Sequence, residues 1–305
     1  MADEDRLTSV VGILTWGIEA GGYELTGSAS GSAVYRVRID GTDAVLKVTT
    51  ADRGQTNARR ELAFYRTLAS RVPVSTPRLI RYADNDDLTA LLLSAHTPAR
   101  PAREWSRHAW LEMARQLAAL HSTPMPDQPS WLDTPLLQRL LDRPPIGPAA
   151  DYWSRTDAAD RIGVVLDAPD TLAPALAATP ACFLHGDCHV DNLLREGSRM
   201  VWADWQVAGV GSPAIDLAFL WSRANADGAD IPRTEMVHEY ASHRGIDVTV
   251  LRRSLIAAEL GVLLFCWPEY AAYRTQTTRD RLTRRLVQLI REWPARCEVT
   301  SNEPN

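Results

Sequence analysis

Two acids, an amide and a lysine carry the chemistry legible in this chain. Asp187 and Asn192 lie five residues apart in His185-Gly-Asp-Cys-His-Val-Asp-Asn192, and Asp204 follows in Ala203-Asp-Trp205. A loop with that offset can hold one carboxylate beside a hydroxyl, to orient it and take its proton. On the same side an amide oxygen can reach a metal ion. Asn192 and Asp204 offer hard oxygens, which suit Mg²⁺; that ion keeps waters and takes its remaining ligands from substrate phosphates. The lysine stands out by composition: the sequence holds 32 arginines and one lysine, Lys47. It lies between Leu46 and Val48, where a charge is costly unless something pairs with it. A compact ammonium can contact two phosphate oxygens in a narrow site that a planar guanidinium does not fit. Taken alone, Lys47 could equally be an edge-strand lysine reaching out to water.

These residues need particular elements to position them. Residues 43–49 read as a buried strand, and Cys182-Phe-Leu184 as a short strand leading into the 185–192 loop. A hairpin of Leu193–Arg195 and Met200–Ala203, turned at Glu196-Gly-Ser198, delivers Asp204. Upstream, Leu7, Val10, Val11, Leu14 and Ile18 share one helical face, which predicts a lead helix over 4–18. Strands over 23–27 and 33–39 flank Gly27-Ser-Ala-Ser-Gly-Ser32. The backbone of Gly27, Ser28, Ser30, Gly31 and Ser32 could approach phosphates, because small residues leave N–H groups uncovered. A flexible surface hairpin would have the same composition. Asp40-Gly41 marks the turn into the Lys47 strand. A helix over 55–70 carries Glu61, a partner for Lys47 or else an exposed glutamate beside Arg59, Arg60 and Arg66. Strands near 78–83 and 88–94 complete a five-stranded sheet. Leu92-Leu-Ser-Ala95 then reads as a hinge. Beyond a crossing at 96–101, helices are expected over 104–121, 135–142, 157–168, 170–178, 213–225, 233–244, 248–272 and 278–293. Ser212-Pro213 marks one start, a cap followed by proline in the first turn.

On these motifs the chain resembles the aminoglycoside phosphotransferase family, small-molecule kinases of the protein-kinase-like fold, from about Tyr23 to the C-terminal helices. The resemblance implies an α+β, bilobal fold. Residues 1–95 would form a small N-lobe, an antiparallel sheet with one main helix, and 96–305 a larger, mostly helical C-lobe. It implies that Lys47 contacts the α- and β-phosphates of ATP or GTP and pairs with Glu61. In the kinase-like fold that the motifs resemble, the backbone of Leu93 and Ala95 would meet a nucleotide base. Asp187 is similar to the catalytic base, and Asn192 and Asp204 to the Mg²⁺ ligands. His185 would be structural, holding the loop. Asp216, twelve residues after Asp204, resembles the aspartate that anchors the catalytic loop. The departures point away from a protein kinase. Gly186 stands where a regulated kinase has arginine, Trp205-Gln206 replace Phe-Gly, and the route from 204 to 216 is too short for an activation segment. A non-catalytic nucleotide-binding module would be expected to lack Lys47, Asp187, Asn192 or Asp204; all are present.

The implied acceptor is a small-molecule hydroxyl. Asp157, Asp160, Asp227, Asp230, Glu235, Glu239, Glu259 and Glu269 fall in the expected acceptor-binding helices. They would suit a cationic acceptor, such as an aminoglycoside-like antibiotic or another cationic natural product. A metabolic kinase for an amino sugar, choline or a ketosamine fits the same residues, and each acid could simply be an exposed helix residue. The net charge of −5 and pI near 5.8 argue against a nucleic-acid partner. The longest apolar stretch, 255–267, is short and interrupted by Glu259, so no membrane span is expected. The acidic start, Met1-Ala-Asp-Glu-Asp-Arg6, has no apolar signal behind it. Cys182, Cys188, Cys266 and Cys297 show no metal-ligand spacing. Together these features predict a cytoplasmic protein, a monomer or homodimer.

Overall fold

A computed structural model of the chain describes residues 16–19, 22–25, 32–124, 131 and 136–293. In chain order its strands are β1 (Tyr23–Glu24), β2 (Ala33–Ile39), β3 (Thr42–Thr50), β4 (Leu79–Asp84), β5 (Leu88–Ser94), β6 (Thr97–Pro98), β7 (Cys182–Leu184), β8 (Leu193–Glu196), β9 (Arg199–Trp202) and β10 (Gly209–Gly211). Its helices are α1 (Thr56–Thr67), α2 (Arg107–Leu120), α3 (Leu136–Asp142), α4 (Ile146–Trp153), α5 (Ala159–Leu166), α6 (Leu172–Ala177), α7 (Ala214–Ala226), α8 (Arg233–Arg244), α9 (Val248–Gly261), α10 (Trp267–Ala271) and α11 (Gln276–Glu292). This is the mixed α+β architecture expected, an antiparallel sheet with a largely helical remainder. Two compact units emerge: Met1–Arg100 with His185–Gly209, and Pro101–Leu184 with Val210–Asn305. That grouping differs from a single division between 95 and 96, because His185–Gly209 packs with the first hundred residues.

In the first unit the sheet order is β1-β2-β3-β5-β4, antiparallel throughout. Strand alternation decides its faces. Tyr35, Val37, Ile39, Ala44, Leu46, Val48, Leu88, Ala90 and Leu92 form one buried cluster. Lys47, between two of them, is thereby turned to the other face. β5 is apolar along nearly its whole length because it is a central strand covered on both faces. The β2–β3 turn is tight: Asp40 and Gly41 both take positive φ, 50° and 71°, which a type I′ hairpin requires. A smaller sheet, β6-β8-β9, carries the hairpin before Asp204.

The lead helix expected over 4–18 lies outside the described residues up to residue 15, and its expected end is not helical. Gly17 has φ 68°, Ile18 bridges to Ile39, and Trp16 and Ile18 pack against the sheet cluster. Covering the sheet partly buries both side chains. The 27–31 part of the small-residue loop also lies outside the described residues.

In the second unit, α7, α9 and α11 pack together, and α2 packs on α8. The helix expected over 248–272 changes type along its length. α9 passes into a π-helical stretch, Val262–Cys266, before α10. Pro268 explains the local hydrogen bonding. It has no N–H for the carbonyl of Leu264, four residues earlier. That carbonyl instead accepts the indole N–H of Trp153 at 3.3 Å. α4 was not foreseen, because the proline-rich 122–150 stretch hides its period; Pro145 precedes its first residue. α7 begins at Ala214, one residue later than expected, with the Ser212 hydroxyl accepting from the Ala214 N–H at 3.4 Å. No described helix is long and apolar enough to cross a membrane.

Candidate active site

Lys47 leaves the sheet on the face toward α1, where Glu61 waits. Its ammonium lies 2.6 Å from Glu61 Oε2 and 2.6 Å from Asp204 Oδ1. Lys47 and Glu61 are buried. Burial alone would depress the lysine, but the charges and hydrogen bonds of Glu61 and Asp204 outweigh it and raise the pKa well above the ordinary range. Burial pushes the Glu61 carboxyl up, against Lys47 and with Asp204 adding to the rise. One ammonium thus serves two carboxylates. The arginines that could have claimed Glu61 are engaged elsewhere. Arg59 pairs with Asp84 at 2.9 Å, Arg60 donates to the Ala208 carbonyl at 2.7 Å, and Arg66 lies over the Tyr82 ring.

Asp204 stands in the left-handed region at φ 65°, a conformation that costs a non-glycine residue about 1–3 kcal/mol and collects at functional sites. Its neighbours hold it there. Trp205 stacks on Phe64 with centroids 4.0 Å apart, and its indole donates to the Trp202 carbonyl at 2.9 Å. Gln206 Nε2 donates to Asp204 Oδ2 at 3.4 Å. So α1 supplies Glu61, Arg60 and Phe64 to one short segment. Of these, only Glu61 was expected at the site from the sequence; Arg60, Phe64 and Gln206 carry no spacing that assigns them to it.

The 185–192 loop is held by its own backbone and by His185. The His185 Nε2 donates to the Ala203 carbonyl at 2.9 Å, and Nδ1 accepts the Asp187 N–H at 3.3 Å. Both ring nitrogens are thereby occupied in bracing the loop. Gly186 has φ 83°, and a Cβ there would stand 2.3 Å from the Val207 carbonyl oxygen. Glycine is required at 186 by close approach of backbone, whatever else an arginine would have done there. Asn192 Nδ2 donates to Asp187 Oδ2 at 3.1 Å and to the Asp187 carbonyl at 2.9 Å. With its amide N–H groups so committed, the group that Asn192 has to offer a metal ion is its side-chain oxygen. The Ala203 N–H donates to the Asn192 carbonyl at 2.9 Å, tying the loop to the residue before Asp204. His189 Nε2 lies 3.5 Å from Asp187 Oδ2. Burial opposes ionisation of Asp187, but His189, His185 and Asn192 prevail and hold its carboxyl down to about 2.

The donor set fits a hard divalent cation: an amide oxygen from Asn192 and a carboxylate from Asp204. Among the described residues no group of three or more His, Cys, Asp or Glu side chains is placed to hold a metal alone. An ion here must complete its shell from phosphates and water, which is the habit of Mg²⁺.

Other expected site residues fall as follows. Ser32 is the one described member of the phosphate loop's candidates. Its hydroxyl meets that of Thr49 at 2.6 Å, so the side chain is engaged with β3. Gly27, Ser28, Ser30 and Gly31 lie outside the described residues. Leu93 is still within the sheet, paired with Val45 and Leu79, and Ala95 is the first residue past β5. Asp216 belongs to the second unit, where it meets His121 at 3.0 Å. Of the eight acids proposed for the acceptor, three are engaged by arginines. Glu235 pairs with Arg107, Glu239 with Arg115 at 2.8 Å, and buried Glu259 with Arg285 at 2.5 Å. Asp157, Asp160, Asp227, Asp230 and Glu269 are exposed.

A model of the phosphotransferase enzyme family matches residues 24–253. Over 138 residues the chain is 30% identical to a thiamine kinase of Escherichia coli, covering 45% of this chain and 48% of that protein. The chain therefore spans about half the length of the curated relatives it matches. Among solved structures it is similar to a choline kinase from Cryptosporidium parvum, with TM-score 0.66, 13% identity and coverage of 94% of this chain and 96% of that one. It is also similar to the aminoglycoside phosphotransferase APH(3'')-Id from Streptomyces rimosus, with TM-score 0.56, 22% identity and coverage of 84% and 98%. At those identities the two structures speak for the fold.

Proposed function

The chain belongs to the phosphotransferase enzyme family, and from that premise we propose that it transfers the γ-phosphoryl group of ATP or GTP to a hydroxyl of a small molecule. One observation carries the reading: the sole lysine is buried and held 2.6 Å from both Glu61 and Asp204. A lysine so fixed presents its remaining donor direction to a nucleotide phosphate. Asn192 and Asp204 would hold Mg²⁺, which when bound offsets charge on the phosphoryl oxygens. Asp187 orients the acceptor hydroxyl. A carboxyl held at about 2 is a weak base toward a ground-state alcohol. Its first role is therefore orientation, and it takes the proton once the attacking oxygen has bonded to phosphorus and become acidic. His185 keeps the loop in register while this happens. In this reading Leu93 and Ala95 flank the nucleotide base, Asp216 anchors the loop, and the reaction runs in the cytoplasm, where the donor is supplied.

The acceptor class follows from the arginines. A polycationic antibiotic needs several carboxylates held where ion pairs are strong, and with Glu235, Glu239 and Glu259 paired to arginines the remaining candidates are exposed acids, whose ion pairs contribute little. That favours a hydroxylated metabolite of low positive charge, in the manner of the thiamine and choline that similar proteins are named for, over an aminoglycoside. A screen of nucleotide consumption tests both points. Wild type and Asp187→Asn are compared with hydroxylated monocations, amino sugars and aminoglycosides, each with ATP and with GTP and Mg²⁺. Consumption that depends on a monocation and vanishes in Asp187→Asn is the expected result. Preference for aminoglycosides would reverse the acceptor assignment, and consumption unaffected by Asp187→Asn would remove the site.

A further inference from the structure

A charged cluster lies wholly in the second unit, where α9 packs on α7, α8 and α11. Its centre is Glu259 of α9, which is buried. Arg285 of α11 grips both carboxylate oxygens, with Nη2 2.5 Å from Oε2 and Nε 3.3 Å from Oε1. In that fork geometry one guanidinium satisfies one carboxylate. Arg233, the first residue of α8, arrives as a second cation, its Nε 3.8 Å from Glu259 Oε1. That is an ion pair too long for a hydrogen bond. One buried carboxylate therefore faces two guanidinium groups. Burial lowers the Arg233 pKa; Glu259 opposes the fall and Arg285 adds to it. The other acids whose charge Arg233 feels, Glu292 and Asp230, are exposed, where water and salt screen them.

The surplus is one of donors as well as of charge. Arg233 Nε and Nη2 are shielded from water and find no hydrogen-bond acceptor among the described residues. The guanidinium carbon lies 5.6 Å from the centre of the Trp221 ring on α7. Trp221 is 2% exposed, and its indole N–H also finds no acceptor among the described residues. Nor does Asn225 Nδ2, one turn further along the same face of α7. Indole and guanidinium N–H groups can only donate, so those of Trp221 and Arg233 cannot satisfy each other. α8 also begins here without a side-chain cap, and the positive end of its dipole adds to the field. Glu235, the acid of that first turn, is held by Arg107. Buried donors without acceptors are costly. An oxyanion supplies both things missing, oxygens to accept and a negative charge to balance the second arginine.

We propose that Trp221, Asn225 and Arg233 form a binding site for the oxyanion group, carboxylate or phosphate, of a small molecule. The Arg285–Glu259 pair holds Arg233 in place without consuming its donors. The site stands on the second unit alone and does not rest on the phosphotransfer reading. The oxyanion belongs either to the acceptor or to a separate small anion. An acceptor with one such group beside a single cation is zwitterionic, and its net charge is still low.

Calorimetry with inorganic phosphate, and separately with acetate, at constant ionic strength tests the site. It is done in EDTA on a Lys47→Met background, so that phosphate held at the nucleotide site of the other unit is not mistaken for it. Phosphate should bind one to one and raise the Tm, since a ligand of the native state stabilises it. Arg233→Met removes the surplus cation and leaves Arg285 on Glu259. It should weaken binding about 10–100-fold, the usual worth of hydrogen bonds to a charged group. Arg233→Lys should restore little, because an ammonium lacks the fork. Trp221→Phe keeps a ring but no N–H and should weaken binding about threefold to tenfold. Arg291→Met, at an exposed arginine of α11, should leave it unchanged. If Arg233→Met does not fold, Trp221→Phe and Asn225→Ala carry the same test. No binding of either anion, or binding that these substitutions leave intact, would overturn the proposal. Kinetics with Lys47 restored separates the two sources. Where the acceptor bears the oxyanion, inorganic phosphate competes with it and Arg233→Met raises its KM. Where the anion is separate, the acceptor KM is unmoved while phosphate binding is lost. Protein that binds phosphate through Arg233 yet transfers no phosphoryl group would support the site and count against the phosphotransfer reading alone.

Discussion

Replacing Lys47 by methionine removes one positive charge while keeping an unbranched side chain of similar length, and it exposes the electrostatics of the site to measurement. At an effective dielectric of about 20, two unit charges 2.6 Å apart attract by about 6 kcal/mol. Desolvation of the ions offsets much of that, and breaking a buried pair typically costs about 3–5 kcal/mol, because a charge is left without a partner. Here Lys47→Met leaves two. Asp204 is partly exposed and can hydrate, whereas Glu61 is buried and escapes only by taking a proton. Its carboxyl already lies above the ordinary range with Lys47 present, and without Lys47 it must rise further. The sign follows from linkage. A carboxyl with a raised folded pKa holds its proton in the native state when the unfolded chain, with a pKa near 4.3, has lost it. The variant's stability relative to wild type should therefore fall by up to about 1.4 kcal/mol per pH unit, from the pH at which wild-type Glu61 has ionised until the variant's own carboxyl ionises. Wild type keeps a charged Lys47 through this range, its pKa being raised, so that contribution is lost only as pH rises beyond it. Urea unfolding in EDTA at several pH values between 5 and 8 measures the slope. Adding Glu61→Gln to Lys47→Met should flatten the slope and recover part of the stability at pH 8. Parallel curves for wild type and Lys47→Met would refute the claim that Glu61 is buried against this lysine.

Asp187→Asn should retain Mg-nucleotide binding and lower turnover roughly 10²–10⁴-fold, the usual worth of a positioned acid–base group, as measured by steady-state kinetics on the acceptor that the screen identifies. Calorimetry with and without Mg²⁺ should show nucleotide binding that depends on the ion in wild type and loses that dependence in Asn192→Ala and Asp204→Ala, since each removes a hard ligand; equal binding without metal would dismiss both assignments. Gly186→Ala should destabilise the fold by at least about 2 kcal/mol and cut activity, because left-handed strain of about 1–3 kcal/mol adds to a Cβ placed 2.3 Å from a carbonyl oxygen; thermal unfolding within a degree or two of wild type would contradict that backbone. Cys182 should react with thiol reagents only on unfolding, since burial, with Asp216's charge adding, raises its thiol well above the usual range and the thiolate is the nucleophile; mass-spectrometric labelling of native protein checks it.

The local pattern of this chain was enough to place most of its elements. The 182–184 strand, the hairpin that delivers Asp204 and the helix holding Glu61 follow from apolar periodicity and turn residues, which are properties of neighbouring residues. That Lys47 needs a partner was also legible, because a charge within an apolar run demands one and composition marked this lysine; Glu61 as that partner was what the family resemblance implied, and the structure places the two 2.6 Å apart. The expected end of the lead helix, at 16–18, was misread for the same reason that others succeeded: apolar spacing carried the helix to Ile18, but Trp16 and Ile18 pack against a sheet, and one set of side chains can satisfy only one partner.

What tertiary structure alone decided is which polar groups meet across long stretches of chain. Nothing in the spacing of His121, Asp216 and Tyr240 brings them within hydrogen-bonding reach, and nothing near Arg60 or Phe64 directs them to the 204–208 segment. Gly186 reads as a missing arginine in the sequence, while the backbone shows a glycine with no room for a Cβ. The acids proposed for an acceptor show the limit most plainly. Charge is written in the residue type, but whether a carboxylate is free depends on the arginine that folding brings beside it, as Arg285 is brought to Glu259. Residue type and spacing fix which groups exist and their local geometry; their partners, and so their pKa values and availability, exist only once distant segments are packed together.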